Sequence, residues 1–172
     1  MRTYSMTASA SAHRPYGVAI AALVIPVVAT ALVVPHAHAD NNRLNRSVVQ
    51  MVSVVQYRAG CHNHLKINPQ LQLAAQWHTL DVLNNPVLLG DTGTDGSGPQ
   101  DRANAAGFRG KVEETVAVHP ALAISGLELI NAWYHDADLL GVMRNCANTE
   151  IGVWSENRID RTVVVAVYGQ PQ

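Results

Sequence analysis

The chain lacks an excess of charge of either sign. Its 12 Lys and Arg residues against 13 Asp and Glu give a formal net charge of −1. Removal of an N-terminal leader that carries Arg2 and Arg14 would make the remainder slightly more acidic. Because nucleic-acid binding and adhesion to anionic membranes both rely on clustered basic residues, this composition argues against both kinds of partner.

Local motifs of common hydrolases and metal sites are also missing. The sequence contains neither an HExxH zinc motif nor a CxxC pair. Ser97 and Ser125 lie outside any GxSxG sequence, the turn that exposes the nucleophile of many serine hydrolases. The acidic loop DTGTDGS at residues 91–97 lacks the Asp-x-Asp-x-Asp-Gly spacing of an EF-hand. No nucleophilic hydrolase and no EF-hand is therefore indicated.

Long hydrophobic runs are absent except for one near the N-terminus. Gly17–Val34 carries no charge and is mostly Ala, Val, Leu and Ile. Ala37-His38-Ala39 supplies the small-x-small pattern that signal peptidase requires, which predicts cleavage before Asp40. We expect a signal peptide over residues 1–39, a single domain over 40–172 and a secreted or cell-envelope location. The alternative is a retained anchor, and only then would a membrane be a partner.

Cysteine is scarce, with only Cys61 and Cys146 in the chain. An even count in an exported protein predicts one disulfide bond, which stabilises by restricting the unfolded chain. The alternatives are two free thiols or a two-cysteine metal site.

Hydrophobic periodicity predicts an α+β fold. Apolar residues recur at helical spacing from Val48 to Val55, and Asn68-Pro69 is typical of a helix start. Glu150–Ser155 alternates as a strand does. A meandering antiparallel sheet with helices packed against it would follow from this order. The expected helices cover residues 44–58, 69–84, 99–106 and 122–136 with a short helical turn over 137–143, and the expected strands cover 112–118, 150–155 and 162–168.

Five motifs in the same order resemble the bacterial branch of the CAP superfamily, which includes cysteine-rich secretory proteins, antigen 5-like allergens and plant pathogenesis-related proteins. They are NPQLQLAAQWHTLDV, DTGTDGSGPQDRANAAGF, VEETVAV, the Trp133-Tyr134 pair, and the closing TEIGVWSEN with RTVVVAVYGQP. The resemblance implies a three-layer α-β-α sandwich with a surface cleft and a C-terminal antiparallel hairpin.

In many members of that superfamily two His and two acidic residues line the cleft and can hold a divalent metal. Here the first His position falls on Asp91 and the second on Leu139. The acid of the family's GENIA strand is matched by Glu114, or by Glu113 after a shift of one residue. We therefore expect no catalytic residue, no bound metal and no cofactor. The candidate cleft residues are Asp91, Glu114, His135 and Asp136.

Two of these candidates and three nearby polar residues also have an ordinary structural explanation. Glu114 in an apolar strand is expected to be paired, since an unpaired buried carboxylate is costly. Asp91 and Asp95 suit Asx-turns in a Gly-rich loop. His78, on an apolar helix face, is expected to bond a backbone carbonyl. Arg102, near the start of a helix, is expected to bridge to a loop carboxylate.

Three functions from different classes remain open. The first is a non-enzymatic exported module that binds a small apolar ligand such as a lipid, a cell-envelope component or a partner protein. The second is a metal-assisted hydrolase that uses an altered acidic cleft. A scaffold for envelope assembly is a third possibility.

Overall fold

The computed structural model describes residues 36–120 and 122–172. The expected signal segment therefore falls largely outside the described residues, and the cleavage before Asp40 stays a prediction. The elements in chain order are α1 (His36–Arg58), β1 (Lys66–Ile67), α2 (Pro69–Asn84), α3 (Pro99–Ala105), β2 (Gly110–His119), α4 (Gly126–Tyr134), α5 (Ala137–Arg144), β3 (Glu150–Arg158) and β4 (Arg161–Pro171).

The sheet has the strand order β1-β3-β4-β2. β4 pairs antiparallel with both β3 and β2, and β1 pairs parallel with β3. The expectation of an antiparallel meander is wrong in two respects: β2 joins β4 rather than β3, and β1 was not foreseen. The β3–β4 hairpin leaves the far edge of β4 free for β2, while β1, with two residues, is too short to show a strand period.

The layers follow from the two faces of β4. Val164, Ala166 and Tyr168 belong to one apolar cluster with residues of α1, α4 and α5. Val163 and Val165 belong to a second cluster with residues of α2 and α3. Because alternate residues of a strand point to opposite faces, β4 supplies both cores. The result is the expected α-β-α sandwich, with α1, α4 and α5 on one side and α2 and α3 on the other.

The start of α2 is as predicted. The Asn68 side chain accepts hydrogen bonds from the backbone N–H groups of Gln70 and Leu71, at 2.7 and 3.2 Å. The helix packs so closely on β3 that a Cβ at Gly152 would stand 2.0 Å from the Gln72 nitrogen. Glycine at position 152 is what allows this approach.

α4 is shorter than predicted, because Ser125 rather than residue 122 sets its start. The Ser125 hydroxyl accepts a hydrogen bond from the Glu128 N–H at 3.1 Å, as an N-cap does. The Leu127 side chain of this helix is 74% exposed. Leu129 and Trp133 of the same helix are buried instead.

A disulfide joins Cys61, just after α1, to Cys146, just after α5, and confirms the predicted bond. Their Cα atoms are 5.2 Å apart. Among the helices that the structure describes, none is long and apolar enough to cross a membrane.

Candidate functional site

Glu114 lies at the centre of a buried charged cluster on the α2–α3 side of the sheet. Its side chain is fully buried and accepts hydrogen bonds from Nη2 of Arg102, at 2.9 Å to Oε1 and 3.2 Å to Oε2. His78 of α2 places its Nε2 3.5 Å from Oε1. We call Glu114, Arg102 and His78 the Glu114 cluster.

Arg102 connects this cluster to the Gly-rich loop. Its Nη1 donates to the carbonyl oxygen of Ser97 at 2.7 Å and to the Ser97 hydroxyl at 3.3 Å. Its Nη2 donates to the carbonyl oxygen of Asp91 at 2.7 Å. The expected bridge to a carboxylate exists, but the partner is Glu114 on β2 and not a loop residue.

His78 is a neutral core histidine. Its Nε2 lies 3.0 Å from the carbonyl oxygen of Gly90, as predicted, and because a carbonyl only accepts, Nε2 carries the proton. Burial lowers the pKa of His78 below its usual value, and the Gly90 hydrogen bond acts in the opposite direction. The remaining ring nitrogen, Nδ1, has no hydrogen-bond partner in the part of the chain that is described.

The charge state of Glu114 depends on two opposing effects. Burial raises the pKa of this carboxyl to about 7, while the nearby Arg102 guanidinium acts to lower it. Arg102 therefore keeps the ionised form of Glu114 accessible near neutral pH despite its burial.

The four expected cleft residues do not form one site. Asp91 bonds to the Glu114 cluster through its backbone carbonyl oxygen, and its exposed side chain accepts from the Thr92 hydroxyl at 3.3 Å. Asp136 instead caps α5, accepting from the backbone N–H groups of Asp138 and Leu139. The exposed His135 places Nδ1 2.8 Å from the Asn131 carbonyl oxygen.

Glu113, the alternative match to the family's acid, faces the other side of the sheet. Its Oε2 accepts from the side-chain amides of Asn145 and Asn148 at 2.8 and 2.6 Å. The buried Gln56 side chain of α1 donates to the carbonyl oxygen of Asn148 at 2.9 Å. Glu113 thus organises the segment that carries the disulfide, a role that sequence reasoning missed because amide partners leave no motif.

A divalent metal does not fit the Glu114 cluster as it stands, because the Arg102 guanidinium contacts both carboxylate oxygens. Within residues 36–120 and 122–172, no group of three or more His, Cys, Asp or Glu side chains is arranged to hold a metal ion.

A cleft of about 510 Å³ opens beside the cluster, with His78 and Arg102 in its lining. Its carboxylates are largely engaged within the loop: Asp81 accepts from the backbone N–H and hydroxyl of Thr94, at 2.8 and 2.7 Å, and Asp95 accepts from the Ser97 N–H at 2.9 Å. The Ser97 hydrogen bonds lower the pKa of Asp95. The cleft is lined by Trp77, His78, Asp81, Thr94, Asp95, Ser97, Asp101, Arg102 and Ala105.

A second pocket, which we call the apolar groove, lies on the opposite side of the sheet between α1 and α4. Its volume is about 320 Å³. Val54 and Tyr134 are 49% and 43% exposed there, together with the exposed Leu127. Arg144 at its edge lies over the Tyr134 ring, 5.5 Å from the centroid. The groove is lined by Met51, Val54, Val55, Arg58, Leu127, Ile130, Asn131, Tyr134 and Arg144.

The apolar groove was not foreseen from the sequence. A signal was present, since Val54 lies off the core stripe of α1 that runs from Val48 to Val55. An isolated exposed apolar residue is ordinary, however, and only the packing of α4 beside α1 turns several of them into one surface.

No known family profile matches the chain. No curated protein matches it either.

Solved structures do match the fold. An outer surface protein of Borrelia burgdorferi has a TM-score of 0.67 at 18% identity, covering 77% of this chain and 96% of that protein. An extracellular SCP-domain protein of Bacillus anthracis has a TM-score of 0.64 at 14% identity, covering 76% of this chain. A cysteine-rich secretory protein of Staphylococcus aureus has a TM-score of 0.58 at 14% identity, also covering 76%.

This chain spans 41% and 39% of the lengths of the last two proteins, respectively. At these identities the likeness shows a shared fold, which is that of the SCP domains.

Proposed function

We propose that this protein, whose chain has the fold of the SCP domains, is an exported binding module that takes up a small apolar ligand in the apolar groove. The observation that carries the proposal is the open groove itself. Leu127, Val54 and Tyr134 expose apolar surface together at one pocket between two helices. Grouped apolar exposure of this kind is typical of a ligand or partner site.

The groove has the form that small ligands use. A volume of about 320 Å³ is near the lower end of small-molecule pockets. Most of its lining is aliphatic, while Arg58, Arg144 and Asn131 supply a few polar groups. Neither arginine has an ion-pair partner in the described part of the chain. A ligand with an apolar body and an acidic end would satisfy both kinds of surface.

The alternative, a metal-assisted hydrolase, would need a carboxylate free to bind a metal or accept a proton. Both carboxylate oxygens of Glu114 are already engaged by the Arg102 guanidinium. Glu113 is similarly engaged by Asn145 and Asn148. These contacts favour binding over catalysis.

Export forms part of the proposal. The Cys61–Cys146 disulfide suits an oxidising compartment outside the cytosol. The apolar run at Gly17–Val34 and the Ala37-His38-Ala39 pattern fit a signal peptide. Mass spectrometry of the protein recovered from the medium would test cleavage before Asp40.

Titration of the purified protein with a dansyl-labelled undecanoic acid, followed by fluorescence, tests the binding function. Leu127→Glu places a charge in the groove and should weaken binding at least tenfold. Leu89→Glu is the matched control, since Leu89 is 78% exposed and lies outside the groove lining. Equal binding by both variants, or no saturable binding by the unmodified protein, would contradict the proposal.

A further inference from the structure

Arg102 stands out among the charged residues by the number and kind of its partners. Its two terminal nitrogens contact five acceptor oxygens: both carboxylate oxygens of Glu114, the carbonyl oxygens of Asp91 and Ser97, and the Ser97 hydroxyl. These acceptors come from strand β2 and from both ends of the Gly-rich loop 91–97. One side chain therefore joins segments that have no strand pairing with each other.

The acceptor set is of the kind that a hard metal cation binds. Carboxylate, carbonyl and hydroxyl oxygens are the preferred ligands of such ions in proteins. In this chain a guanidinium group occupies their centre. Its planar array of donors suits several oxygen acceptors at once, and Arg stays charged at all accessible pH values.

Because the cluster is buried, a metal ion cannot bind Glu114 while Arg102 stays in place. Arg102 is 6% exposed and the Glu114 side chain is fully buried. Two cations cannot share the same buried carboxylate without strong repulsion, because the low local dielectric magnifies the interaction. A metal ion would have to displace the guanidinium.

We infer that Arg102 is a built-in cation of the cleft: its guanidinium holds Glu114 and the loop 91–97 together in the way that a bound divalent ion would, and makes the loop independent of metal. This inference concerns the α2–α3 side and does not depend on ligand binding in the apolar groove.

Metal titration of the unmodified protein tests whether Arg102 excludes a metal ion from Glu114. We expect EDTA to leave the melting temperature unchanged, and calorimetric titration with Zn²⁺ or Ca²⁺ to show no uptake that depends on Glu114. Glu114→Gln is the control, because zinc bound elsewhere, for example at the exposed His62 and His64, would be the same in both proteins. Uptake that disappears in Glu114→Gln would overturn the inference.

Substitution of Arg102 tests whether this side chain holds the loop 91–97 in place. In Arg102→Met, backbone amides of residues 93–97 should exchange with deuterium at least tenfold faster, while those of β4 stay protected. Arg102→Lys should give an intermediate rate, since one ammonium group cannot reach all five acceptors. If Arg102→Met does not fold, the exchange rates of Arg102→Lys provide the test.

Arg161→Met is the matched control, because Arg161 pairs only with its sequence neighbour Asp160 among the ion pairs of the described residues. Adding methylguanidinium at millimolar concentration to Arg102→Met should restore part of the slow exchange. If the loop exchanges as slowly in Arg102→Met and Arg102→Lys as in the unmodified protein, Arg102 does not organise it.

Discussion

The two sides of the sheet differ in the kind of group that is buried and the kind that is exposed. On the α2–α3 side, the charged groups Glu114 and Arg102 are buried and form an ion pair, while Arg102 Nε and His78 Nδ1 have no hydrogen-bond partner among the described residues. On the α1–α4 side, the apolar side chains of Val54 and Leu127 remain exposed at an open groove. The two opposite charges on the first side are already paired with each other, whereas the exposed apolar surface on the second side gains free energy when a ligand covers it.

The comparison also separates two sources of stability. The Glu114 cluster holds together by charge-assisted hydrogen bonds in a buried setting, which lose much when one partner is removed. The groove side is secured by the apolar core beneath it and by the Cys61–Cys146 disulfide, which joins the chain just after α1 to the chain just after α5. Substitutions on the two sides should therefore affect stability and binding differently.

The largest loss of stability is expected from Glu114→Ala. It leaves the Arg102 guanidinium buried without its carboxylate, which should lower the free energy of unfolding by about 3–5 kcal/mol. Urea denaturation followed by circular dichroism measures the change. A loss below about 1 kcal/mol would mean that Arg102 reaches solvent easily and that the cluster is not buried in solution.

On the groove side, joint replacement of Cys61 and Cys146 by Ser should lower the free energy of unfolding by about 2–5 kcal/mol, because the unfolded chain regains the freedom of a long loop. The measurement is thermal and urea unfolding under non-reducing conditions. An unchanged melting temperature would show that the bond contributes nothing to stability.

The pH dependence of stability should distinguish the two sides as well. A carboxyl whose pKa rises from 4.5 to about 7 on folding contributes stability that is complete below pH 4.5 and is lost as the pH rises through 7. Relative to Glu114→Gln, the unmodified protein should thus lose on the order of 1–3 kcal/mol across this range. His78, with its lowered pKa, titrates in both proteins and opposes this trend. A constant difference between the two at all pH values would refute the shift.

The smallest effect on stability is expected from Leu127→Ala in the groove. Because its side chain is mostly exposed, the loss should stay below about 0.5 kcal/mol. Leu129→Ala is the matched control in the same helix: it is fully buried and should cost about 2–5 kcal/mol. Binding of the dansyl-labelled acid, in contrast, should weaken in Leu127→Ala. If Leu127→Ala destabilises as much as Leu129→Ala does, the groove is closed in solution.

Much of the local structure was predictable because its signals are short-range. Asn68-Pro69 starts α2, Pro99 starts α3, and the alternating run from Glu150 predicts β3. The disulfide was predictable for a different reason, since a chain with only Cys61 and Cys146 allows a single intramolecular pairing. The resemblance to the CAP superfamily added the layered architecture, which the solved structures of SCP domains support.

The candidate site was less predictable because its contacts join distant residues. Asp136 and His135 were expected near Glu114, but local hydrogen bonds hold them at the junction of α4 and α5. Arg102 was expected to meet a loop carboxylate, and no sequence pattern pointed to Glu114 on β2 instead.

The sequence by itself determined where the main helices and the closing hairpin lie, because caps, turns and hydrophobic periodicity act over a few neighbouring residues. Only the tertiary structure decided that β2 pairs with β4, that Arg102 neutralises Glu114, and that α1 and α4 leave a groove between them. Each of these depends on which faces of separate elements meet. The physical reason is that hydrogen bonding and packing across elements depend on distance in space, which separation along the chain does not specify.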